Sequence, residues 1–233
     1  MKLSYRVEDG ARLGALLWEF GPGWRMISSA MLGGGIGPRE WVLNAQVVAG
    51  YARMDPVDHL ASLGPRDGAG VGMMTAASVD RYVRAADGGV EAYATVGLRV
   101  PTWAAAPEGH VDPELAPMRV GTINLVVVLP VAMTDAALVN AVMTVTEAKT
   151  QALVETGFAG TGTASDAVCV AVRVAGEEEV FGGASVGVGG SGGSGRACGG
   201  AAGGPRRGGL VTQSEEIWGS SMWARARFPI LSR

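Results

Sequence analysis

Lys149 is the residue whose type and position most need a chemical reason. It lies in the stretch TVTEAKTQALVETGFAGTGTASDAV, residues 144–168, where a helical pattern runs into a Gly/Thr-rich turn. At about 100° per residue, with Leu138 at zero, Lys149 falls near 20°, between Val142 near 40° and Val145 near 340°. The ammonium is therefore inside the apolar stripe. Either its four-carbon stem lies along apolar surface and carries the head to water, or it is buried beside a carboxylate. An unpaired buried charge costs several kcal/mol or loses its proton. Asp166, just before the next strand, is the nearest acid in sequence that a turn can fold back onto it.

Other residues carry weaker signals. Glu147, Asn140, Gln151 and Thr144 form a polar stripe on the opposite side of the same helix, either a solvated surface or a face turned to a ligand. In GTGTAS, Thr161, Thr163 and Ser165 alternate, so in extended form their hydroxyls share one face. The segment is either a structural turn or a polar edge that meets a substrate amide. Asn44 and Asn124 interrupt apolar strand patterns, each as a satisfied buried amide or as a donor to a ligand. GGGIGP, residues 33–38, is a tight turn leaving a strand or a nest of backbone N–H groups around an oxygen. It is not a dinucleotide fingerprint, because Pro38 stands where the last glycine belongs. His59 and His110 lack metal-ligand spacing with each other or with the cysteines, so no metal site is expected.

The elements that must position these residues read as follows. KLSYRV, WRMISSAM, WVLNAQVVAGYA, GVGMMTA, VEAYATVGL, VGTINLVVVL and DAVCVAVRV have strand character. DPVDHLASLG starts as a helix, with Asp55 as N-cap, Pro56 first in the helix and Gly64 after its end. SVDRYVRAA is expected as a short helix capped by Ser78, and residues 134–156 as the principal helix. Strands run in series before that helix and one follows it, which predicts an α+β fold, a mixed sheet covered by helices. From Phe181 the composition changes: residues 181–210 hold 14 of the 37 glycines. The sequence thus predicts one domain over 1–180 and a flexible Gly-rich tail over 181–233.

The totals exclude several partners. A chain of 233 residues, 48% hydrophobic, can bury one substantial core. Its net charge of −3 gives no basic footprint for nucleic acid. The acidic Glu8 and Asp9 before LGALLW do not make a signal peptide, and INLVVVLPVAM is far below the roughly 20 residues of a membrane span. A cytoplasmic protein without a membrane partner is expected. Cys169 and Cys198 form no CxxC motif, and Cys169 is expected to be a buried thiol.

In order along the chain, ISSAMLGGGI, VLNAQV, DPVDHLA, GVGMMTAA, TINLVVVLPVAMTDAALVNAVMTVTEAKTQAL and GTGTASDAV resemble the adenosylcobinamide amidohydrolase family over about residues 25–175. The resemblance implies hydrolysis of the amide that joins the aminopropanol arm to the corrin ring of adenosylcobinamide. The products would be adenosylcobyric acid and 1-amino-2-propanol, in corrinoid salvage, with a small-molecule corrinoid as partner and no firmly implied cofactor. Past FGGAS the chain departs from the family's expected helix and becomes Gly/Ser/Arg-rich, as a shifted reading frame would make it.

Amide hydrolysis needs a nucleophile, donors for the developing oxyanion and an acid for the departing amine. Two arrangements fit. In one, a hydroxyl of Thr163, Thr161 or Ser28 attacks, deprotonated by Lys149. In the other, which is favoured, Glu147 or Asp166 activates a water and Lys149 holds a carboxylate. The catalytic candidates are therefore Glu147, Lys149, Asp166 and Thr163. Ser28, Ser29, Asn44, Asn124, Thr144 and Thr161 are the candidates for substrate binding. A corrinoid-binding protein without catalysis is the alternative.

Overall fold

The computed structural model describes residues 1–98, 102–106, 108–109 and 121–183. The chain runs β1 (Lys2–Glu8), β2 (Ala11–Glu19), β3 (Trp24–Ser28), β4 (Gly35–Pro38), β5 (Trp41–Gln46), α1 (Pro56–Leu63), β6 (Gly70–Thr75), a single 3-10 turn at Val79–Arg81, β7 (Val83–Asp87), β8 (Val90–Gly97), β9 (Thr122–Met133), α2 (Asp135–Glu155), β10 (Ala167–Arg173) and β11 (Glu178–Glu179). The class is α+β, with strands in two mixed sheets. One sheet has the order β1-β2-β5-β6, and the other β4-β3-β10-β9-β8-β7 with β11 beside β9. The parallel pairs are β5 with β6 at the edge of the smaller sheet, β9 with β10 inside the larger one and the short β11 with β9; the remaining pairs are antiparallel.

Alternating side chains sort the molecule into four layers. Leu16, Trp18, Val42, Val71 and Met73 of the smaller sheet face Trp24, Met26, Tyr93, Val126 and Cys169 of the larger one. The residues one step along, Ile123, Leu125, Val127, Val168 and Val170, turn to the other side and pack on Leu138, Ala141, Val145 and Leu153 of α2. On the far side of the smaller sheet, Trp41, Leu43 and Ala45 pack on Leu60 of α1. Covered on both faces, β9 reads from Leu125 to Leu129 as a continuous apolar run rather than an alternation.

Local chemistry accounts for the connections. Asp9 and Gly10, at φ 50 and 74, close the β1–β2 hairpin, and Gly88 and Gly89, at φ 52 and 87, close β7–β8. Both are two-residue turns that need left-handed backbone at each position. The Thr134 side chain accepts the Ala137 N–H to cap α2, and Asp135 complements its N-terminal dipole.

Several expectations are corrected. SVDRYVRAA is not a helix: after one 3-10 turn it becomes β7, because Val83 and Ala85 alternate into the core and the diglycine returns the chain onto β8. LGALLW lies in β2, a strand with no counterpart in the sequence reading. GGGIGP does not end its strand pairing, since β4 folds back antiparallel on β3 after the turn. At residues 181–183, Gly182 donates its N–H to the Asn140 side chain, and a Cβ on Gly182 would come to 2.3 Å from the Ala137 carbonyl oxygen of α2. Residues 184–233, with Cys198, and His110 lie outside the described residues. No helix among the described residues is long and apolar enough to cross a membrane.

Candidate active site

The parallel strands β9 and β10 begin side by side, and the turn of residues 163–166 wraps around the start of β9. Asp166 is the hub. Its Oδ2 accepts from Lys149 Nζ at 2.6 Å and from the Thr163 N–H at 3.1 Å. Its Oδ1 accepts from the Ile123 N–H at 2.9 Å and lies in hydrogen-bond contact with the Thr163 hydroxyl. That hydroxyl has one proton and a second acceptor, the Gly121 carbonyl at 2.8 Å. Lys149 and Asp166 are both largely buried, with 9% and 13% of their side chains exposed. The ammonium is thus buried and paired rather than extended to water.

Gly162 makes the approach possible. A Cβ there would lie 2.5 Å from Asp166 Oδ2 and 2.7 Å from Lys149 Nζ, so any side chain would push into the ion pair. Beside it, the Thr102 backbone pairs with Gly162, and Thr161 accepts the Ala104 N–H at 2.8 Å. The segment 102–106 is held against the ion-pair turn by these bonds. On the other flank, Ser165 and Thr122 hydroxyls meet at 2.7 Å. Ser165 was part of the polar edge read from GTGTAS, whereas Thr122 was not singled out; a polar residue opening an apolar run was the available signal.

The family comparison bears on this region. The family model for adenosylcobinamide amidohydrolase matches residues 2–195. The chain belongs to the adenosylcobinamide amidohydrolase family. Adenosylcobinamide amidohydrolase of Methanosarcina mazei is 30% identical over 146 residues, covering 61% of this chain and 67% of that protein. The one from Halobacterium salinarum is 39% identical over 136 residues, covering 57% of this chain and 58% of that relative. The chain therefore spans somewhat over half to about two thirds of these relatives' lengths.

Within this family member the structure gathers three of the four catalytic candidates, Lys149, Asp166 and Thr163, and leaves out the fourth. Glu147 is exposed on the outer side of α2, because two residues of helix turn it away from Lys149. The binding candidates also separate. Thr161 is beside the cluster but spends its hydroxyl on the 102–104 backbone. The expected shared hydroxyl face of Thr161, Thr163 and Ser165 does not form, since a turn closed by Asp166 replaces the extended strand. Thr144 is buried, and its hydroxyl reaches the carbonyls of Asn140 and Gly182. Ser28 donates to the Val168 carbonyl and Ser29 accepts the Val168 N–H, so both knit β3 to β10.

Asn44 and Asn124 meet between the sheets. Asn124 Nδ2 donates to Asn44 Oδ1 and to the Met74 carbonyl, each at 2.9 Å, and Asn44 Nδ2 donates to Thr95 Oγ1. At 1% and 2% exposure neither can touch a corrinoid without the sheets parting. Their role is a buried amide bridge across the sandwich. Among the described residues no group of three or more His, Cys, Asp or Glu side chains is arranged to hold a metal ion.

Proposed function

We propose that this chain hydrolyses the aminopropanol amide of adenosylcobinamide to adenosylcobyric acid and 1-amino-2-propanol, as a step of corrinoid salvage. One observation carries the mechanism: Thr163 Oγ1, Asp166 and Lys149 form a single chain of contacts. That is the arrangement of a nucleophile, its base and the group that orients the base. A carboxylate offers about four lone-pair sites, and Asp166 meets four donors from Lys149, Thr163 and Ile123. Three fixed donors and the Thr163 hydroxyl already crowd the carboxylate, which favours attack by the hydroxyl over direct activation of water by Asp166.

In this reading Thr163 Oγ1 bonds to the amide carbon while its proton passes to Asp166. The C–N bond then breaks, and the proton moves to the leaving nitrogen to complete 1-amino-2-propanol. The ester left on Thr163 is cleaved by water, which supplies the acid's oxygen and returns a proton to the hydroxyl. Lys149 touches no reacting atom and acts as a positioning residue. The reading is supported by family membership over most of the chain and by the location of all three residues inside the matched region.

The test is mass spectrometry of adenosylcobinamide incubated with the full chain in ¹⁸O-water. Equimolar aminopropanol and adenosylcobyric acid carrying one ¹⁸O are expected. Thr163→Val should bind corrinoid yet release no product. Corrinoid bound by the wild-type chain with no product released would instead mark a binding protein.

A further inference from the structure

Between the ends of the two sheets lies an open cleft of about 370 Å³, lined by Gln46, Ser78, Arg81, Val96, Gly97 and Leu98 among others. We infer that this cleft receives the aminopropanol end of the substrate, with the Gln46 side-chain amide donating to its hydroxyl. The inference rests on the amidohydrolase reading above and names the subsite that would take the leaving group.

Size comes first. The cleft is at the small end of the roughly 300–1,000 Å³ range of ligand pockets, so it suits one side arm and not a corrin macrocycle. Chemistry comes next. Gln46 Oε1 is occupied by the Gly14 N–H at 3.2 Å, while its Nε2 has no partner among the described residues and remains a donor. The Ser78 hydroxyl is already committed to Asp80. Val96 and Leu98 add apolar surface, so donor and apolar wall match an alcohol with a neighbouring methyl group.

Position is the third argument. Gly97 pairs with Thr122 across β8 and β9, and the preceding carbonyl, that of Gly121, accepts the Thr163 hydroxyl at 2.8 Å. One strand spacing and one residue thus separate the cleft from the nucleophile, on the order of 10 Å. A Cβ on Gly97 would come to 3.2 Å from Ala77 Cβ and 3.5 Å from the Thr122 carbonyl oxygen. The bare glycine leaves room in the cleft against its Ala77 wall.

Two variants test this. Gln46→Glu retains an acceptor for the Gly14 N–H and removes the donor; Gly97→Ala narrows the cleft against Ala77. Each should raise KM for adenosylcobinamide about five-fold or more with kcat within two-fold, as expected for one hydrogen bond made equally in ground and transition states. Affinity for adenosylcobyric acid, which lacks the arm, should not change in Gln46→Glu. Unchanged KM in both variants, or equal loss of affinity for both corrinoids, would overturn the inference while leaving the hydrolase reading intact. If the wild-type chain gives no product, the hydrolase reading fails. The dissociation constant for adenosylcobinamide then decides the cleft, unchanged in both variants against it and five-fold weaker for it.

Discussion

At the scale of single residues, the buried ion pair carries the sharpest expectations. Removing one partner of a buried pair leaves an uncompensated charge and costs about 3–5 kcal/mol. Asp166→Asn should therefore lower stability by about 3 kcal/mol in urea unfolding, and adding Lys149→Met should restore part of the loss. If the double variant is no more stable than Asp166→Asn alone, the two charges are not coupled. Turnover should be lost in both, since neither retains the base. Cys169 makes a second expectation. Burial among apolar side chains pushes its thiol up to about 12, with the Ser28 hydroxyl and the Arg39 charge only partly opposing. The peptide containing Cys169 should stay unlabelled by iodoacetamide at pH 8 in the native protein and become labelled in denaturant.

At the scale of elements, the turn between α2 and β10 and the start of α2 are the parts to perturb. Gly162→Ala puts a methyl group within 3 Å of both charges of the ion pair. It should reduce turnover by well over ten-fold while helix content, followed by circular dichroism, stays near wild type. Thr134→Ala removes the cap on α2 and should cost about 1 kcal/mol, with a smaller effect on turnover because Lys149 lies four turns away. The principal helix, the strand after it and the closeness of Lys149 to Asp166 were legible from period and spacing. Gly162 was visible as one glycine among many, and only the contacts of its missing side chain show why it is there. β7 was misread because SVDRYVRAA supports a helix locally, and its pairing with β8 is a contact the helical pattern does not register.

At the scale of the whole molecule, the two sheets are tied at one end by the Asn44–Asn124 bridge, and α1 is tied to β1 of the smaller sheet by a charged cluster. His59 Nε2 lies 3.1 Å from Glu8, and its Nδ1 meets the Tyr51 hydroxyl at 2.9 Å. Arg6 contacts the other oxygen of Glu8 at 2.7 Å. Burial would raise the Glu8 carboxyl, but hydrogen bonds and charge from Arg6 and His59 outweigh it and hold the group below its ordinary 4.5. A carboxyl depressed by folding stabilises fully above its unfolded value and loses that contribution as pH falls through the folded one. The urea midpoint should therefore drop on acidification below about 4.5, and Glu8→Gln should flatten that part of the profile. Equal acid sensitivity in wild type and Glu8→Gln would show that other carboxylates are responsible.

By itself the sequence determined the α+β class, the principal helix, a paired partner for Lys149 as one of two readings, and the family. These depend on local periodicity, on the cost of an unpaired buried charge and on contiguous motifs, all of which a linear chain displays. The helical period already turned Glu147 away from Lys149; only the tertiary structure decided that there are two sheets, that Asn44 and Asn124 bridge the sandwich and that Thr144 holds the chain at Gly182. Strand partners and the use of each hydroxyl are set by residues tens of positions apart, and hydrogen-bond donors carry no mark of which distant acceptor they will meet.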